Sequence, residues 1–162
     1  WTAPLPADAA GFKKGERPGE NAIDTKTMPK GARAELVVRN CILEGWKQPG
    51  QISLMAALNL KENVKVLVEN CVFSDNEVAC RLRGPNRRGG AWVTIRDCAF
   101  YDCKVAIRAE EKIENLKLLG IGFGDGVTRK LHPVAGGIGP RHENTGERKV
   151  PDLKVAIRSG LR

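Results

Sequence analysis

Arginine recurs at one place in a short repeated block. The block reads Ala79-Cys80-Arg81-Leu82, Ala106-Ile107-Arg108-Ala109 and Ala156-Ile157-Arg158-Ser159, and a first copy, Ala57-Leu58-Asn59-Leu60, carries Asn there. Successive side chains of a strand alternate between faces. If Leu58, Cys80, Ile107 and Ile157 point inward, then Asn59, Arg81, Arg108 and Arg158 point outward in one row. Arg83 extends the row, and Arg87 and Arg88 hang beside it on the insertion RGPNRRGGA at 83–91. A guanidinium grips a carboxylate or sulfate with two parallel hydrogen bonds, so a line of arginines on a flat sheet suits a linear polyanion. The plainer reading is a charged face that keeps the sheet solvated and blocks edge association.

The other reactive side chains say less. Five cysteines cannot all pair within one chain, and none forms a close Cys-x-x-Cys pair near a histidine. They read as buried thiols acting as small hydrophobes, with Cys103, in a turn, expected to be the most exposed. The two histidines, His132 and His142, fall in a polar stretch and read as surface residues, although His142 beside Glu143 has the makings of an acid–base pair. Gly136 to Gly139 (GGIG) lacks the strand-to-helix setting of a phosphate loop. Asp75, Glu77 and Asp102 lie in turns beside the arginine block. They leave room for a Ca²⁺ ion, but the chain has no compact acidic motif and no cofactor is called for.

What must position these groups is a longer repeat. Leu36 to Leu43 (LVVRNCIL), Val66 to Phe73 (VLVENCVF), Val93 to Phe100 (VTIRDCAF) and Leu116 to Phe123 (LKLLGIGF) share apolar residues at positions 1, 3, 6 and 8. Cys41, Cys71, Cys98 and Ile121 fill position 6, at spacings of 30, 27 and 23 residues, and should form an inward-facing column. Positions 1 and 3 alternate like a strand, as do 6 and 8, but the phase slips by one between them. A slip of one would turn the apolar set outward unless the chain bends there. The residues at the bend are Arg39–Asn40, Glu69–Asn70, Arg96–Asp97 and Leu119–Gly120, and Asn, Asp and Gly tolerate the left-handed backbone that a corner needs. Three short strands per 22–30 residues cannot bury an inner face alone, but stacked coils can.

The pattern V-x-V-x-N-C-x-F followed by A-[CI]-R-[LA] resembles the right-handed parallel β-helix of the pectate-lyase-like superfamily, over roughly residues 32–123 and 153–162. The resemblance implies an all-β fold, a short right-handed parallel β-helix of about four coils. Residues 1–31 would be an irregular N-terminal cap or linker, with Trp1 or Phe12 as a plug. Residues 32–123 would form the coils, 124–152 a long loop and 153–162 a final β-helix strand. A β-sandwich with coincidental spacing is the alternative. The resemblance also implies that acidic polysaccharides lie on the arginine face. The resemblance further implies an Arg or Lys base in those members that are lyases, a role that position alone would give to Arg81 or Arg108, and, in many of them, Ca²⁺ held by a carboxylate cluster.

The function expected is a non-catalytic module binding an anionic polysaccharide along the arginine row. Four coils make a helix of roughly 20 Å, short for a self-contained enzyme, and the row offers no paired carboxylates for hydrolysis. The alternatives are an accessory subunit that docks to a larger protein assembly through its loops, and a partial polysaccharide lyase. Composition sets the outer bounds. The chain of 162 residues, 41% hydrophobic and 28% charged, suits one globular domain, and its net charge of +8 suits an anionic partner. Eight aromatics and no recognised module disfavour nucleic acid, and no apolar run reaches the ~20 residues of a membrane span. An exported location is expected, periplasmic, cell-surface or extracellular. The absent initiator Met and the ending one strand past a loop suggest a piece of a larger protein.

Overall fold

The computed structural model describes residues 1–3, 16, 19–26, 31–84, 90–111, 113–134 and 138–159. The strands are β1 (Asn21–Asp24), β2 (Ala34–Arg39), β3 (Ile42–Glu44), β4 (Ala56–Leu60), β5 (Val64–Glu69), β6 (Val72–Ser74), β7 (Val78–Arg83), β8 (Trp92–Arg96), β9 (Ala99–Tyr101), β10 (Val105–Glu110), β11 (Ile113–Leu119), β12 (Gly122–Phe123), β13 (Arg129–Pro133) and β14 (Ile138–Asn144). The helix α1 (Leu153–Ser159) follows. Each coil visits three parallel sheets in turn. The first sheet has the order β1-β4-β7-β10-β13, the second β14-β11-β8-β5-β2 and the third β12-β9-β6-β3. The chain is an all-β parallel solenoid of about four turns, as the repeat predicts.

The corners explain why the repeat has its odd period. Asn40, Asn70, Asp97 and Gly120 all adopt positive φ, between 51° and 58°. Their backbone turns while the ladder continues: the N–H groups of Asn40, Asn70 and Asp97 donate to the carbonyls of Glu69, Arg96 and Leu119 in the next coil. The bend brings positions 6 and 8 back to the interior. Cys71, Cys98 and Ile121 are buried in one column, and Cys41, on the first coil, is half-buried. All five cysteines are free thiols. In position 8, Phe73 and Phe100 stack with centroids 5.0 Å apart and Phe100 and Phe123 at 5.5 Å, above Leu43. Offset stacking of this kind adds about 0.5–1.5 kcal/mol per pair to the area buried.

Four expectations need correction. Residues 124–152 are not a loop, because they hold β13 and β14. These complete a fifth, degenerate copy of the repeat: His142 and Asn144 pair with Leu116 and Leu118, Glu147 bridges Ile121, and Gly146 takes the corner with φ +89°. At the end of a solenoid the last coil faces solvent on one side, so polar residues fill slots that are apolar inside. Residues 1–31 are not wholly irregular. β1 adds to the first sheet, Thr2 pairs with Glu44 beside the third, and Trp1 is exposed rather than plugging the core; Phe12 lies outside the described residues.

The third correction concerns the identical segments KVAIR. At 104–108 the segment is strand from Val105 onward, held between β7 and β13. At 154–158 it is helix, opened by Pro151–Asp152, where the N–H groups of Val155 and Ala156 both donate to the Asp152 carbonyl at 2.9 Å. The helix turns Ala156 onto Val72, Ala99 and Tyr101 outside the third sheet, and Tyr101 Oη donates to the Pro151 carbonyl at 2.6 Å. No final β-helix strand forms there, and Ile157 is exposed. Tertiary pairing decides between the two states, since local propensity is the same. Fourth, Cys103 is fully buried, and burial pushes its thiol up to about 11. It shares a turn slot with Asn76, which donates to the Leu43 carbonyl at 3.0 Å and accepts from the Trp46 N–H at 3.0 Å.

Candidate functional site

The outer face of the first sheet collects the arginines, though not as a plain row. Strand register aligns Asp24, Asn59, Arg81, Arg108 and His132, about 4.8 Å apart from coil to coil. Two residues along, Arg83 aligns with Glu110. Glu110 gathers its neighbours. Arg81 donates through Nε at 2.9 Å and Nη2 at 3.1 Å, one to each carboxylate oxygen, and Arg108 Nε donates at 2.9 Å. Arg83 Nε stands 3.1 Å from Oε2, an ion pair outside hydrogen-bond geometry, and reaches Glu111 at 3.6 Å. Burial opposes ionisation of Glu110, but the hydrogen bonds from Arg81 and Arg108 outweigh it and hold the carboxyl below its ordinary value.

The expected ligand row is therefore divided. Arg81, Arg83 and Arg108 do come together. Asn59 lies in the row but is buried and closed to a large ligand. Arg158 leaves the row altogether, because α1 carries it to the outside of the third sheet. Arg87 and Arg88 lie outside the described residues. In place of Arg158 the row ends on His132, which strand β13 sets beside Arg108. His132 Nδ1 is 3.1 Å from Arg108 Nη1, and its Nε2 is 3.3 Å from Arg129 Nη1. Burial and the two guanidinium charges push His132 below its ordinary value.

Three groups thus escape a sequence reading: Glu110, Arg129 and His132. Glu110 stands two residues after Arg108, which is the strand spacing for the same face, so an outward Arg-x-Glu pair was visible in RAE at 108–110. Arg129 and His132 give no such signal, because β13 lacks the Ala-x-Arg pattern.

A pocket of about 290 Å³ opens at this end of the face. Its lining combines apolar Leu54, Val78 and Val105 with polar Lys104, Arg108, Arg129 and His132. Glu77 also lines it, with Oε2 accepting from the Met55 N–H at 3.3 Å and Oε1 3.9 Å from Lys104 Nζ. The size is at the lower limit of ligand pockets, about 300–1,000 Å³, and suits a single sugar-sized unit. Cations set among hydrocarbon fit a ligand with an apolar ring face and an anionic substituent.

Asp75, one of the carboxylates considered for Ca²⁺, is paired with Lys47. Among the described residues no three His, Cys, Asp or Glu side chains converge to hold a metal ion, and no helix is long and apolar enough to cross a membrane. Comparison with family models, with curated proteins and with solved structures found no match to this chain.

Proposed function

We propose that the chain is a non-catalytic module that binds an anionic polysaccharide across the outer face of the first sheet, centred on β10 and β13. One observation carries the reading: Lys104, Arg108 and Arg129 line one pocket together with Leu54, Val78 and Val105, at the end of a face that also carries Arg81 and Arg83. Glu110 neutralises part of the arginine charge and orders the guanidinium groups, so the surplus positive charge lies toward β13. A uronate or sulfated sugar would set its ring against half-buried Leu54 and its anionic group against the cations. Glu110, occupied by three arginines, is a poor general acid or base, which supports binding over hydrolysis or elimination. Membership of the pectate-lyase-like superfamily, right-handed winding and an exported location belong to this proposal.

The test is retention on an immobilised polyuronate and on an immobilised sulfated glycan, eluted with rising salt. The wild type is expected to bind both at low salt and to release as salt screens the contacts. Lys104→Ala combined with Arg129→Ala, both exposed side chains, should elute at markedly lower salt with the fold intact by circular dichroism. Flow-through of the wild type at low salt, or equal retention of the double variant, would contradict the proposal. A second reading, docking to a larger protein assembly, is favoured by α1, where Val155 and Ile157 remain exposed beside buried Ala156. Val155→Asp with Ile157→Asp should then abolish co-purification of a protein partner from the native source and leave glycan retention unchanged.

A further inference from the structure

Both ring nitrogens of His132 face a guanidinium, and that arrangement cannot be satisfied. A neutral imidazole has one N–H and one acceptor nitrogen, while a guanidinium only donates. Of the contacts at 3.1 Å to Arg108 and 3.3 Å to Arg129, one at most is a hydrogen bond; the other sets N–H against N–H. Protonating the ring removes the remaining acceptor and adds a third charge, so it does not help. Something that accepts from two donors at once would resolve the conflict.

We propose that Arg129 and His132 form a two-donor clamp for a single oxyanion, the carboxylate or sulfate of the glycan, and that Arg108 selects the ring tautomer that makes the clamp. The proposal rests on the reading of this face as an anionic-glycan site and names the contact that fixes the anionic group. Arg108 is the fixed partner. Its Nε is anchored to Glu110 and its side chain is largely buried, so its Nη1–H donates to His132 Nδ1. The ring proton then sits on Nε2, next to Arg129. Arg129 is exposed, and among the described residues no carboxylate pairs with it. Nε2–H and the Arg129 guanidinium therefore present donors on the same side of the ring, at the pocket that both residues line. An anion seated there accepts from both and separates the two donors. The other charges near the ring are Glu110, bonded to Arg108, and Lys104 and Glu77, which line the same pocket. The depressed basicity of His132 agrees with a ring that stays neutral and donates through one nitrogen.

The chain has only two histidines, His132 and His142, which makes the ring nitrogens accessible to ¹⁵N NMR. The probes are inorganic sulfate and a uronate trisaccharide, titrated separately at pH 7.5. Saturation with either is expected to leave His132 in the Nε2–H tautomer, with His142 unchanged. Loss of one charge-assisted hydrogen bond weakens binding about ten- to hundred-fold, so Arg129→Gln and His132→Phe should each show that loss for the probe that binds. His142→Gln should bind like the wild type. The tighter of the two probes identifies the anionic group. An Nδ1–H tautomer at saturation, no binding of either probe, or affinity within two-fold of wild type in both variants would overturn the clamp. Retention on polyuronate with no effect of Arg129→Gln or His132→Phe would refute the clamp and leave the glycan reading standing. A sulfate-locked tautomer without retention on any glycan would do the reverse.

Discussion

Replacing Glu110 by Gln tests whether one carboxylate organises the arginine face. The substitution keeps shape and removes charge. In the wild type, Glu110 accepts three hydrogen bonds, two from Arg81 and one from Arg108, and pairs with Arg83. Its side chain is 12% exposed, and those of Arg81, Arg108 and Arg83 are 16%, 17% and 30% exposed. Removing one partner of a buried ion pair costs about 3–5 kcal/mol, because the other charge is left uncompensated. The arginines keep some access to water, which lowers the expected cost to about 2–3 kcal/mol. For a chain of this size that is a fall in Tm of roughly 5–10 °C. The pH dependence follows from the same bonds. Glu110 titrates lower folded than unfolded, so its contribution is fully present above the unfolded value of about 4.3 and is lost as pH falls through the lower, folded value. Urea denaturation at pH 7 and at pH 3 measures this: the variant should be less stable at pH 7, and the gap should narrow toward pH 3. A variant as stable as wild type at pH 7, or a gap unchanged at pH 3, would refute the role given to Glu110.

Other parts of the fold yield further expectations. Phe100→Ala removes the middle ring of the interior stack and should cost about 3–5 kcal/mol, read by urea denaturation. Asp97 holds a corner at φ +52°, so Asp97→Val should lose roughly 1–2 kcal/mol while Asp97→Gly stays close to wild type. Alkylation with iodoacetamide followed by mass spectrometry should mark Cys41 first in the native protein. Burial pushes the Cys41 thiol up as well, so access decides: Cys80, Cys98 and Cys103 have no exposed surface and should react only after denaturation.

The coils were legible because burial repeats. Wherever a residue faces the interior on both sides of a coil, as Val68, Cys71 and Phe73 do, apolar character recurs and the corner residue betrays the bend. The fifth copy was hidden because the last coil need not be apolar: His142, Asn144 and Glu147 occupy its slots, and Gly146 alone keeps the template. The end of the arginine row lies in that copy, on β13. Ala156-Ile157-Arg158 matches the strand block letter for letter, yet the Pro-Asp before it starts a helix, and that helix packs Ala156 outside the third sheet instead of extending the first sheet past β13. The true neighbour of Arg108 is His132, in a strand whose outward residues, Arg129 and His132, share no motif with the preceding coils. The balance of charge on the face was partly readable, since Glu110 has the same outward parity as Arg108, but its grip on three arginines is a property of the stacked coils rather than of any one strand.

The most direct measurement is hydrogen–deuterium exchange of the wild type with and without a saturating polyuronate. Bound glycan should slow exchange in peptides covering 104–110 and 128–133, the strands β10 and β13 that carry the pocket, and leave α1 unchanged. Exchange unchanged at those two strands, or slowing confined to α1, would contradict the placement of the ligand on the first sheet.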